Sequence, residues 1–252
     1  MAGKTGNNLP RTVILATDVC SYSIPVVNLA AEIAASSNSK LQGIFIEDED
    51  LLVLTGSPLT REISLTTASA RPTSIDRMQR MLRSVARQFE TTLQREAQAS
   101  KIAWSYEYVR GRVQDISLKP RLDAAFTILG RTGLHRVEPG QQGRTRKVLV
   151  ISNHSAQQLQ ALAVVLRRFA RDRIELTIVG ESGDLEFRQA LRPVLEDLQV
   201  EVALLEIDRE GMFARLRKVG SAYDCAILSM HEKVDDLAAV LEALQCPVIL
   251  VA

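Results

Sequence analysis

Arg11-Thr-Val-Ile-Leu-Ala-Thr-Asp18 is a short, unbroken apolar run bounded by polar residues. A strand with one wet face alternates apolar and polar side chains, whereas a run without alternation is buried on both faces, the habit of a parallel sheet. Helical spacing follows: Ile24, Val27, Ala30, Ala31 and Ala34 recur along one face of residues 21–36. Ser21 or Ser23 can cap that helix, and Pro25 is tolerated in its first turn. Lys40-Leu-Gln-Gly-Ile-Phe-Ile46 reads as the next strand. Parallel neighbours need a crossover, and crossovers of this kind are right-handed, so this strand–helix–strand unit decides the fold.

The same grammar extends outward. Residues 76–99 form an amphipathic helix, with Met78, Met81, Leu82, Val85, Phe89, Leu93 and Ala97 on one face and arginines elsewhere. A strand at 102–109, a short helix at 113–122 and a strand at 124–129 follow. The second half repeats the order: strands at 147–152, 174–179, 200–207, 225–229 and 247–251 alternate with helices at 155–170, 185–198, 211–219 and 234–244. The expected fold class is α/β: two tandem open parallel-sheet sandwiches of Rossmann-like kind. The expected division is a loose N-terminus at 1–10, a first domain at 11–130, a linker or glycine loop at 131–146, and a second domain at 147–252. The first domain lacks its last helix and strand. Either that sheet is short or an element from elsewhere completes it, and the closing strand at 247–251 can pair across domains.

Composition narrows the function. The 252 residues are 46% hydrophobic and 24% charged, as in soluble globular chains. Thirty-one Lys and Arg against 30 Asp and Glu leave a net charge of +1, without the basic excess of a dedicated nucleic-acid binder. Cys20, Cys225 and Cys246 are too few and too scattered for a disulfide framework or zinc site. No apolar core follows the N-terminal lysine, and no apolar run reaches the roughly 20 residues of a membrane span. The expectation is a cytoplasmic protein without nucleic-acid or membrane partners.

Three stretches carry a resemblance: Val13-Ile-Leu-Ala-Thr-Asp18 with the helix behind it; Val109-Arg-Gly111-Arg-Val-Gln-Asp-Ile116 leading to Asp123-Ala-Ala-Phe-Thr-Ile-Leu-Gly130; and Tyr223-Asp-Cys-Ala-Ile-Leu-Ser229 with Cys246-Pro-Val-Ile-Leu-Val251. In order and spacing the chain resembles the universal stress protein family in its tandem, two-domain form, apart from a longer segment at 47–73. The resemblance implies a stress-response regulatory or binding protein. It also implies an adenine nucleotide, ATP, held in the first domain by Asp18 and a glycine loop of the pattern Gly-x2-Gly-x9-Gly followed by Ser or Thr. Gly130, Gly133 and Gly143 keep that spacing; Arg144 stands at the hydroxyl position, with Thr145 beside it. Glycines let backbone amides approach phosphate oxygens, yet a strand starts where the phosphate-binding helix should stand. Flexible-linker glycines and an Asp18 that caps the next turn are the plainer reading of the same residues. The second half has Asn153 in place of the aspartate and no glycine pair after Ser229, so it reads as a degenerate copy. A tandem chain imitates a family dimer within one chain and can also form a homodimer.

The remaining features read as structural. Glu47-Asp-Glu-Asp50 could hold a hard cation, but such a run more often caps a helix, and Asp48 or Glu49 suits that position. The segment 47–73 reads as a packed insertion or a lid, and Leu51, Leu52, Val53 and Leu54 could dock an unidentified protein partner. His135, His154 and His231 are isolated, and Trp104 has the pattern of a half-buried strand residue. No nucleophile elbow, Walker loop or Gly-x-Gly-x-x-Gly occurs, nor the His-x-Gly-His or Ser-Gly-Gly-x-Asp-Ser signature of adenylate chemistry. A non-enzymatic protein is expected; the rivals are a ligand-free interaction scaffold and a weak ATPase.

Overall fold

The crossover unit is formed as β1 (Thr12–Thr17), α1 (Ile24–Ser36) and β2 (Lys40–Asp48), with β1 buried along its whole length. The computed structural model describes residues 11–63, 68–112, 115, 124–130, 145–151, 156–169, 173–179, 185–198, 202–207, 223–229, 240–241 and 243–251. Pro25 falls in the first turn of α1, where its missing N–H has no partner to lose. Next come α2 (Glu49–Gly56), the paired short strands β3 (Arg61–Ile63) and β4 (Ala70–Pro72), and α3 (Ile75–Ala99). Strands β5 (Trp104–Gly111) and β6 (Ala124–Leu129) complete the first half. The second half holds β7 (Thr145–Ile151), α4 (Ala156–Arg168), β8 (Arg173–Val179), α5 (Leu185–Leu198), β9 (Val202–Ile207), β10 (Cys225–Ser229) and β11 (Val248–Val251). Most of the expected helices at 113–122 and 234–244, and all of the one at 211–219, lie outside the described residues.

Among the described residues nine strands make one sheet in the order β5-β2-β1-β6-β11-β10-β7-β8-β9. Seven of its eight pairings are parallel, so the chain has an α/β fold built on a mostly parallel sheet. The exception joins the halves: β11 runs antiparallel to β6, with Val248 opposite Leu129 and Val251 opposite Phe126. An element from the second half therefore flanks the first, as one of the two sequence readings anticipated. A geometric consequence follows. The parallel strands of residues 12–129 and those of residues 145–251 run in opposite directions, so their carboxyl edges lie at opposite ends of the sheet.

Two apolar layers sandwich the strands. One gathers Val13, Leu15, Phe45 and Phe126 with the inner faces of α1, α3 and α4; the other gathers Ile14, Ala16, Ile44 and Leu250 with Leu241 and Leu244. Helices of the two halves touch directly: Gln160 Nε2 donates to the Ser36 carbonyl at 2.8 Å, and Arg168 pairs with Glu32. On α3 the buried stripe is Leu82, Ala86, Phe89, Thr92, Leu93 and Ala97. Met81, expected inside, is 43% exposed, because the stripe advances from Leu82 in steps of three and four and passes it by. Leu52 is buried while Val53 and Leu54 are exposed, so the apolar tetrad of α2 divides between core and surface.

The expected linker ends two residues early. Thr145 and Arg146 belong to β7; Arg146 is buried, pairs with Asp224 at 3.2 Å and stacks over the Phe169 ring. Asp224 also accepts from Lys147 N at 2.9 Å, tying the start of β7 to the start of β10.

Candidate functional site

Strand order reverses beside β1: β2 lies on one flank and β6 on the other. In open α/β sheets, ligands bind beyond the carboxyl ends of the strands at such a switch point. Asp18 stands there, one residue past β1, and Gly130 one residue past β6.

Asp18 organises the turn into α1. Its Oδ1 accepts from Cys20 N at 3.1 Å and Ser21 N at 2.7 Å, and from the Ser21 hydroxyl. Its own N–H donates to Ser21 Oγ at 2.9 Å, and its carbonyl accepts from Tyr22 N at 3.0 Å. Aspartate suits this turn because its short side chain reaches amides two and three residues on. Among the described residues all these side-chain bonds fall on Oδ1, which leaves Oδ2 with acceptor capacity there.

Gly130 rests on that turn. A Cβ there would lie 2.8 Å from the Ser21 carbonyl oxygen and 2.9 Å from Thr17 Oγ1, a separation real side chains do not tolerate. Its N–H donates to the Ala16 carbonyl at 3.0 Å, extending the β1–β6 ladder by one bond. The structure thus brings Asp18 and Gly130 together, with the Gly130 amide engaged inside the protein. Thr145 starts β7 and is exposed. It lies at the same end of the sheet but four strand positions from β1, about 19 Å at the usual strand spacing. Gly133, Gly143 and Arg144 lie outside the described residues, as do His135, Asn153, His154 and His231.

The neighbouring strand end concentrates charge. Asp48 caps α2 through Asp50 N at 3.1 Å, as the sequence suggested. Glu47 is buried and accepts from the Tyr108 hydroxyl of β5. Arg110 lies 3.9 Å from Glu47 and 3.6 Å from Glu49, and Arg112 lies 3.4 Å from Asp50. Among the described residues no group of three His, Cys, Asp or Glu side chains could hold a metal ion. Partial burial raises the Asp48 carboxyl above its ordinary value, and the charges of Asp50 and Asp18 add to the rise. Partial burial raises the Cys20 thiol too, reinforced by Asp18 and Asp48. Tyr108 is raised by burial and by its bond to Glu47, so it remains a neutral donor. Cys20 is therefore a thiol at neutral pH, and no activated nucleophile stands among these groups. Sequence reasoning missed Tyr108 and Arg110, which meet the acidic run only because β5 lies alongside β2.

No family model matches the chain, and no curated protein does. Among solved structures it is similar to a universal stress protein from Archaeoglobus fulgidus DSM 4304, with 13% identity, 96% of each chain covered and a TM-score of 0.47. It is also similar to a ketoreductase domain from the bacillaene assembly line, with 12% identity, 96% of this chain and 68% of that one covered, and a TM-score of 0.28. A third likeness is to Acinetobacter baumannii MurG, with 12% identity, 93% and 82% covered, and a TM-score of 0.25. At these TM-scores the likenesses carry no argument about what this chain binds or does. Among the described residues no helix is long and apolar enough to cross a membrane.

Proposed function

We propose that the chain is a tandem, universal stress protein-like regulatory binding protein of the cytoplasm, without catalytic activity, and that it takes an adenine nucleotide in the crevice between β1 and β6. The observation that carries this reading is the meeting of Asp18 and Gly130 at the switch point, the end of the sheet where such folds receive ligands. Asp18 Oδ2 has the chemistry to accept from a ribose hydroxyl or an exocyclic amine. Ser23, the N-cap of α1, makes no side-chain capping bond, and no acidic residue occupies the first turn of that helix. Both features suit an anionic ligand nearby. In this reading Gly133 and Gly143 supply the amides for the phosphates, since the Gly130 amide is engaged, and Thr145 stands apart. The buried thiols of Cys225 and Cys246, which form no disulfide, fit a reducing compartment.

Thermal melting with ATP, ADP and Mg²⁺ tests this. Ligand at a hundred times its dissociation constant stabilises by about 2.7 kcal/mol, roughly 5–10 °C for a chain of this size. The expected outcome is such a shift in the wild type and its loss in Asp18→Ala and Gly133→Val. The measure is the shift each variant shows on adding nucleotide, because Asp18→Ala also loosens the turn. A second reading, a ligand-free interaction scaffold, is favoured by the internal engagement of Asp18 Oδ1 and the Gly130 amide. An unchanged melting temperature with every nucleotide would decide for it.

A further inference from the structure

The outer face of α3 gathers positive charge in a chain that is otherwise nearly balanced. Between Asp76 and Glu90 the helix carries Arg77, Arg80, Arg83 and Arg87, with no acidic residue and no lysine among them. All four are exposed. At 3.6 residues per turn they fall within an arc of about 120°, spread over about 15 Å of helix. Among the described residues Arg80, Arg83 and Arg87 have no acidic side chain within ion-pair distance. Arg77 shares Glu62 with Arg71, at 3.2 Å and 2.8 Å, so two guanidiniums divide one carboxylate and that end also stays positive. Ser84 and Thr91, short and exposed, lie within the same arc and leave room for close approach.

We infer that this face receives an acidic helix of another protein, laid along α3 with its carboxylates beside the four arginines. A guanidinium presents paired donors that match the two oxygens of a carboxylate, and arginine keeps its charge at every physiological pH. A partner helix with acidic residues three and four apart repeats the axial steps of the arginine row. The stripe Leu82, Ala86, Phe89, Leu93 and Ala97 is buried in the core, so α3 has no apolar face left for a bilayer. Four charges on a chain of net charge +1 also fall short of the basic surface of a nucleic-acid binder.

Fluorescence anisotropy tests the inference, with the full chain and a labelled, alanine-based helical peptide of about 20 residues bearing glutamate at every third or fourth position. The expected result is saturable binding with a dissociation constant of about 100 µM or lower in about 50 mM salt, weakened at least about tenfold near 0.5 M salt by screening. Arg80→Glu/Arg87→Glu should weaken binding by about tenfold or more, with wild-type circular dichroism, because both side chains are exposed. Arg80→Gln/Arg87→Gln, which adds no charge, should weaken it by a smaller factor. Arg192→Glu, at an exposed position of α5, should bind like the wild type, and a glutamine version of the peptide should not bind. A wild type that shows no saturable binding overturns the inference. Binding that survives Arg80→Glu/Arg87→Glu overturns it too and places the contact elsewhere. Tighter binding of single-stranded DNA or of phosphatidylserine vesicles, lost in the same variant, overturns it by assigning the face to a nucleic acid or a membrane surface.

Discussion

Asp48 is under two opposed influences. It supplies the oxygen that caps α2, yet partial burial and the charges of Asp50 and Asp18 favour its protonated form. A carboxyl raised in the fold binds its proton more tightly there than in the unfolded chain. Its contribution to stability is therefore fullest below the ordinary carboxylate pKa and is lost as pH rises through the folded value. Asparagine caps as well as aspartate without the charge. Asp48→Asn should raise stability at pH 7 by about 0.5 kcal/mol after solvent screening, and the gain should vanish near pH 3.5, where the wild type is neutral too. Asp48→Ala should be less stable than Asp48→Asn by about 1 kcal/mol, the worth of a cap; urea denaturation at both pH values measures all three. The capping role was legible because an aspartate precedes an apolar helical run. The Tyr108–Glu47 bond was not, since it joins residues about sixty positions apart through a strand order that local patterns do not encode.

Among the elements, α3 and β2 show how closely a helix can lie on a sheet. A Cβ at Gly43 would come within 2.5 Å of Leu93 Cδ2 and 3.0 Å of Phe89 Cζ, so the glycine sets their separation. Gly43→Ala should lower stability by about 1–3 kcal/mol, the usual effect of an overfilled core, read from the denaturant midpoint. Combining it with Leu93→Ala should cost less than the sum of the two, because the second change makes room for the first. The strands at 124–129 and 225–229 and the helix at 185–198 were read from sequence with the ends the structure has, as continuous apolar runs and helical periods announce themselves. The ribbon within 47–73 was not legible. Three-residue strands are too short to show alternation, and five of their six residues face water.

Across the whole molecule, β11 is the piece on which both halves depend. Ile249 is fully buried, opposite Ile128 on one side and Ile227 on the other. Ile249→Asp would bury a charge without a partner and should destabilise by more than about 4 kcal/mol. Trp104, the chain's single tryptophan, lies on β5 at the far edge of the sheet, four strands away. If the sheet unfolds as one unit, its fluorescence and the far-ultraviolet circular dichroism should fall together in denaturant, and Ile249→Asp should move both transitions equally. A tryptophan transition left in place would instead mean that the first half folds alone. That β11 borders β6 was only half legible: a missing neighbour could be inferred from the four strands of residues 11–130, but not which strand would supply it. The arrangement also bears on how the chain is made. Val248 follows Leu129 by 119 positions, so at 5–20 residues per second a ribosome needs about 6–24 s to deliver the strand that shields β6. During that interval the nascent chain carries a bare apolar strand border, a state in which chaperones find their substrates.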